Sequence, residues 1–280
     1  MGAAADAFGR WSAELELAYM CRGGATIPAL RRHQGPLRVQ KHFYPEGSRV
    51  CQHIIVHPPG GIAGGDSLRI AVDVGPQAHV LLTSPGAAKW YRSAREATLD
   101  VELQVARGAT LEWLPLETIL FAGSHSRIRN RIDLAGDAKL LCIDVLCFGR
   151  PGSGEYFGDV AAGRWRQQSG LWRDGRQLWT ETALLAAQDP LLNAAAGMGG
   201  ATVLGTLLWA GPPVPADIHA ACVALPLHGR GGVTQLPDIW SARCLCTSVE
   251  DAHHWLRGLW ALLRPAMLGR PAVPPRIWAT

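Results

Sequence analysis

The chain has 280 residues, with 27 Lys and Arg against 23 Asp and Glu, a net charge of +4, and 48% hydrophobic residues. That composition excludes a disordered chain, and the mild positive charge without a dense Lys/Arg block speaks against nucleic-acid binding. No 18-residue uncharged apolar run occurs, so no membrane-spanning helix is expected.

The seven cysteines are an odd number without a small-domain framework, which indicates free thiols in a reducing compartment. The start lacks a charged segment followed by a long apolar run, so no signal peptide is expected and the address is cytoplasmic. The length suits one domain over residues 1–280 or two smaller ones. Eleven tryptophans are many for this length, enough for a core and an apolar contact surface.

Residues 1–10 read as a frayed terminus. From Trp11 to Tyr19, Ala13, Leu15, Leu17 and Tyr19 alternate with more polar residues, which predicts a half-buried strand. A turn follows over 21–26, then a stretch of interleaved charges and aromatics over 31–47 suited to covering a surface or binding one. Cys51 to Val56 is a short buried strand.

That strand runs into His57-Pro58-Pro59-Gly60-Gly61-Ile62-Ala63-Gly64-Gly65-Asp66-Ser67-Leu68. Four glycines and two prolines in twelve residues exclude a regular helix or central strand. The segment reads as a shaped loop that either caps its own backbone with Asp66 or presents Asp66 to a partner or metal.

Strand signals then recur. Leu68, Ile70, Val72 and Val74 alternate, and so do Leu99, Val101, Leu103 and Val105. Ala78, Ala109 and Ala138 occupy one place in three similar units, 31 and 29 residues apart. Each unit reads strand, turn, Ala, strand, irregular loop. The repeat predicts a mainly β fold of stacked strand layers resembling a β-helix or solenoid; ordinary antiparallel hairpins are the alternative. Stacked units bring their loops to one end. Asp66, Glu117, Asp144 and Glu155 are therefore expected nearer one another than their spacing implies.

The Asp-Gly of Trp172–Trp179 predicts a hairpin. Residues 184–200 suggest a short helix and a turn, 203–209 a buried strand, 216–225 a helix, 229–232 a turn, and 239–247 a strand. A second helix, near the C-terminus, starts at an N-cap Ser248 and ends at Arg264-Pro265. The Pro-rich tail from Pro271 to Trp278 is expected to pack back without regular structure.

No phosphate loop, H-E-x-x-H, nucleophile elbow or dinucleotide fingerprint is present. His253 and His254 read as surface or cap residues. Cys244-x-Cys246 places two thiols on one side of a strand, suited to a soft metal but more often buried structure. The loop carboxylates remain. A transient divalent-ion site needs only incomplete carboxylate ligation, and the alternative is that Asp66, Asp144 and Glu155 cap turns or pair with Arg92 and Arg150.

Five segments then point to a family: GPLRVQKHFYPEGS (35–48), VHPPGGIAGGDSL (56–68), LTSPGAAKWYRS (82–93), GATLEWLPLETI (108–119) and FGRPGSGE (148–155), with the ending PRIWAT. Over nearly the whole chain they resemble the urease accessory protein UreD family, called UreH in some bacteria. The resemblance implies a β-rich stacked fold with a few helices and a non-catalytic role. It implies as partners the urease structural subunits, the accessory protein UreF and, through UreF, the GTPase UreG. It also implies a water-filled passage that delivers nickel, with no permanently bound cofactor. The family's Gly-Gly-Asp, Glu-Thr-Ile and Gly-Glu match Gly64-Gly65-Asp66, Glu117-Thr118-Ile119 and Gly154-Glu155. Asp66, Glu117 and Glu155, with Asp144, are thus the passage candidates. His57, Gly60, Gly61, Gly64, Gly65, Lys89, Trp90, Tyr91, Arg92 and Arg150 are the loop-shaping or partner-binding candidates. Leu116, Ala122 and Ile143 depart from the family's usual Gln, Asp and Trp, and the first two remove polar groups beside Glu117. A pure interaction module without a passage and a carboxylate-dependent hydrolase are the alternatives.

Overall fold

The computed structural model describes residues 10–279. The expectation of a frayed start therefore lies, except for Arg10, outside the described residues. Along the chain run β1 (Ser12–Arg22), β2 (Ala25–Gln34), β3 (Arg38–Val39), β4 (Val50–Val56), β5 (Ser67–Val74), β6 (His79–Thr83), β7 (Ala88–Trp90), β8 (Ala97–Val105) and β9 (Thr110–Leu114). There follow β10 (Thr118–Leu120), β11 (His125–Leu134), β12 (Lys139–Arg150), β13 (Glu155–Tyr156), β14 (Arg164–Arg173), β15 (Arg176–Ala186) and β16 (Val203–Ala210). Helix α1 (Ala216–Val223), β17 (Arg230–Gln235), β18 (Trp240–Cys246) and α2 (Val249–Leu268) complete it.

The strands form two large sheets. The first has the order β15-β14-β11-β8-β5-β1-β2 and the second β17-β18-β16-β12-β9-β6-β4-β3. From β4 to β14 the long strands alternate between the sheets, and each circuit adds a strand parallel to the one before. The repeat read from the sequence is this circuit. The N–H groups of Ala78, Ala109 and Ala138 each donate to the carbonyl three residues back. Ala78 and Ala109 in turn accept from Thr110 and Lys139 at 2.9 Å. All three alanines are buried. Antiparallel strands flank the parallel run.

Strand alternation fixes which residues face inward. Leu68, Ile70, Val72 and Val74 of β5 meet Leu99, Val101, Leu103 and Val105 of β8 in register, all turned to the second sheet's inner face. The outer face of the second sheet carries Leu141, Ile143, Val145 and Cys147, covered by α2 through Trp255, Leu256, Leu259, Trp260 and Leu263.

Five local readings are corrected. The first turn is only Gly23-Gly24, and β2 resumes at Ala25, because two glycines at positive φ close a tight hairpin. Of the expected turn over 229–232, residues 230–232 begin β17, which pairs with β18. The stretch 184–200 finishes β15 and then holds only a 3₁₀ turn at Pro190–Leu192. Helix α2 runs past Pro265 to Leu268 and is capped by Gly269 in the left-handed conformation. Proline removes one N–H near the helix end, and Arg264 before it is held in the helix by buried carboxylates. The tail packs back as expected, with Trp278 against Trp260 and its indole N–H donating to Thr83 at 2.8 Å, but it is not without regular structure, since Arg276–Ala279 past the last proline form a 3₁₀ turn.

Candidate functional site

The irregular loops of the repeat are themselves stacked. Short strands β7 and β10 pair in parallel and β10 pairs with β12, while Ile62 bridges to Trp90. Ile62, Trp90, Leu120 and Phe148 thus stand in one register column, all buried. Segments only three residues long carry no visible period, so the sequence shows them as loops.

The glycines let these segments touch. A Cβ on Gly61 would overlap the Tyr91 ring, and one on Gly64 would overlap the Ser93 side chain and lie 2.5 Å from the Arg95 carbonyl. Gly60 and Gly65 have positive φ. Trp90 is core. Lys89, Tyr91, Arg92 and Arg150 are exposed on the same end, with Tyr91 and Arg150 both packed on Phe121.

The four candidate carboxylates do not gather. Asp66 is buried and accepts the N–H groups of Trp11 at 3.0 Å and Ala63 at 2.8 Å, closing its own loop. Burial lowers the His57 pKa, and the neighbouring Asp66 opposes that. Glu155 accepts the Ala122 N–H at 2.7 Å and pairs with Arg150, tying segment 148–155 to 121–122. Glu117 hydrogen-bonds His253 Nε2 of α2 at 2.8 Å. Burial alone would raise the Glu117 carboxyl, but His253 and Arg257 hold it below its usual range. Leu116 and Thr118 line the inside of the sandwich, so the extended backbone sends Glu117 outward toward α2. Asp144 lies on β12 with Cys142 and Leu146, on the inner face. Glu117 and Asp144 are therefore on opposite faces of the second sheet. Among the described residues, no group of three or more His, Cys, Asp or Glu side chains is placed to hold a metal ion. Cys244 and Cys246 are buried against α2, as structural thiols are.

Between the sheets lies a cavity of about 220 Å³. That is far above the ~10–15 Å³ one water needs. One end is lined by His57, Gly60, Gly61 and Lys89, of which Gly60 and Lys89 are exposed. The other reaches Glu181 and Arg243, whose side chains are 29% and 47% exposed.

Its walls are mostly apolar, and two facing polar rows cross them. In the second sheet, Asp144 stands opposite Thr206 and Thr206 opposite Arg243. In the first, Asn130 stands opposite Ser169 and Ser169 opposite Glu181. All six line the cavity. The Asn130 amide donates to Ser169 Oγ at 2.9 Å, and the Gln167 amide donates to Asp144 at 2.8 Å. Gln167 Oε1 is buried and without a hydrogen-bond partner, an acceptor left over beside Asp144. Burial pushes the Asp144 carboxyl up; Gln167 and Arg243 oppose this and Glu181 adds to it. Sequence reading found Asp144 but missed Gln167, Glu181 and Arg243, because each looks like the polar half of an alternating strand until two sheets face each other.

The family model for the UreD urease accessory protein matches residues 12–279. The urease accessory protein UreD of Pseudomonas aeruginosa is 52% identical over 271 residues, 96% of this chain and 95% of that protein. UreD of Pseudomonas fluorescens is 52% identical over 270 residues and UreD of Pseudomonas savastanoi pv. phaseolicola over 272, each with the same coverage. Most of this chain is thus shared with proteins of one name, and it belongs to the UreD family of urease accessory proteins.

Proposed function

We propose that this urease accessory protein is a non-catalytic scaffold that binds apo-urease and the UreF accessory protein, reaches the GTPase UreG through UreF, and passes nickel to the urease site through the cavity between its sheets. The observation that carries the reading is the paired polar rows, which lead from Asp144 to Glu181 through mostly apolar walls. Apolar walls offer a hydrated cation nothing to bind, so Asp144, the leftover Gln167 acceptor and Glu181 supply stepwise oxygen contacts. Two carboxylates are too few for a permanent site, which suits transit better than storage. Nickel is here cargo and no resident cofactor is invoked.

Asp66, Glu117 and Glu155 act differently in this reading. Their carboxylates hold the motif end together, and Lys89, Tyr91, Arg92 and Arg150 give that end a basic and aromatic surface for a partner. Because three of the four carboxylates are engaged in this way, a pure interaction module is the second reading.

Co-expression of the tagged chain with the urease subunits and UreF tests both. Joint recovery of urease and UreF supports the scaffold, and recovery of neither overturns it. Within a recovered complex, Asp144→Asn is expected to lower the nickel content of urease at least severalfold. Unchanged nickel would favour the interaction module.

A further inference from the structure

Where the cavity reaches Glu181 and Arg243, an ion pair joins the two sheets. Arg243 of β18 meets Glu181 of β15, the edge strand of the first sheet. Arg243 is two cross-strand steps from Asp144 in one row, and Glu181 faces that row from the other sheet. The groups around this end are Asp144, Glu181, Gln167, Thr206 and Arg243, with the half-buried Cys142 thiol beside Asp144.

This arrangement is unusual for a cation path. An arginine stays charged at any relevant pH and cannot ligate a metal. It lines the partly exposed end of the cavity, and it already occupies one of the two carboxylates. The pair is partly exposed, so its attraction is screened and the side chain can swing into solvent at little cost.

We propose that Arg243 is the resident, displaceable cation of the passage. It occupies the exit and competes with the metal ion for Glu181 and, at longer range, for Asp144. An arriving divalent ion pushes it out, and its return releases the ion, so the passage hands metal on and does not keep it. This rests on the reading of the cavity as the nickel route and adds the residue that sets its affinity. No bond is made or broken in the exchange; one cation replaces another beside the same carboxylates.

Removing a competing positive charge strengthens cation binding at the carboxylates it faced. In equilibrium dialysis of the purified full chain against nickel chloride, Arg243→Met is expected to tighten nickel binding roughly tenfold. Arg243→Lys, which keeps the charge, is expected to stay within about twofold of wild type. Glu181→Gln should act in the opposite direction and weaken binding, so the inference stays testable if the Met variant folds poorly. The double variant Arg243→Met with Asp144→Asn should lose the gain. In cells, Arg243→Met should slow urease activation although it binds nickel more tightly.

No tightening in Arg243→Met, or a gain that survives Asp144→Asn, overturns the inference. The underlying reading fails separately: if Asp144→Asn leaves urease fully loaded, the cavity is not the route, whatever Arg243 does.

Discussion

Arg264 of α2 donates from Nε to Glu112 of β9 at 2.9 Å, with both side chains wholly buried. Around them, Trp260 donates to Glu112 at 3.0 Å, His79 Nε2 lies 2.8 Å from it, and Glu46 receives Arg264 at 2.9 Å. Burial alone would raise the Glu112 carboxyl, but His79 and Arg264 hold it well below the usual range. The network joins the C-terminal helix to the second sheet and to the loop before β4. Breaking one partner leaves an uncompensated buried charge. Arg264→Ala is expected to cost about 3–5 kcal/mol. A urea midpoint equal to wild type would contradict this.

A second expectation concerns acid. His53 is wholly buried, its Nδ1 lies 2.6 Å from the Tyr19 hydroxyl, and its ring stands edge-to-face with His42. Burial, with His42 and Arg31 adding, pushes its pKa down to about 4. In the unfolded chain the value is about 6.5. Between those values the unfolded chain takes up a proton that the folded one refuses. Stability is therefore full above about pH 6.5, falls as pH drops through that window, and is lost by about 3 kcal/mol below pH 4. Burial lowers His42 and His57 as well, which adds to the effect. Thermal midpoints taken from pH 8 to pH 5 should fall, and His53→Gln should flatten the slope. An unchanged slope would show that His53 is not the group responsible.

The motif glycines give a third. Gly64→Ala drives a methyl group into Ser93 and toward the Arg95 carbonyl. Overpacking of this kind costs about 1–3 kcal/mol. Melting curves should show the loss, and adding Ser93→Gly should restore part of it. Full stability of Gly64→Ala alone would mean the two loops are not in contact.

Much of this was legible in the sequence, and the rest was hidden for physical reasons. The three alanines showed the circuit because each is buried at the same turn position, its N–H donating three residues back. The alternation of β5 and β8 showed a buried face because every second residue is apolar. The reading stopped where tertiary context decides. Asp144 reads as a loop carboxylate but lies inside β12, where it interrupts an apolar strand on the cavity face. Glu181 and Arg243 go unnoticed in the sequence, since nothing local says that two sheets will face each other across them. His253 reads as surface because its partner, Glu117, is 136 residues away in the chain. Arg264 reads as a helix end because the Pro265 rule is local, while its two carboxylates arrive from β9 and the loop before β4.

The central claim is that nickel travels between the two sheets, and blocking that space tests it most directly. Thr206 lines the cavity between Asp144 and Arg243 and is half-buried, so Thr206→Phe plugs the route without changing any charge. The measurement is the nickel content of urease matured with this variant, in preparations where the variant co-purifies with urease and UreF as wild type does. The account predicts an intact complex and urease depleted of nickel. Fully loaded urease from the plugged variant would contradict it.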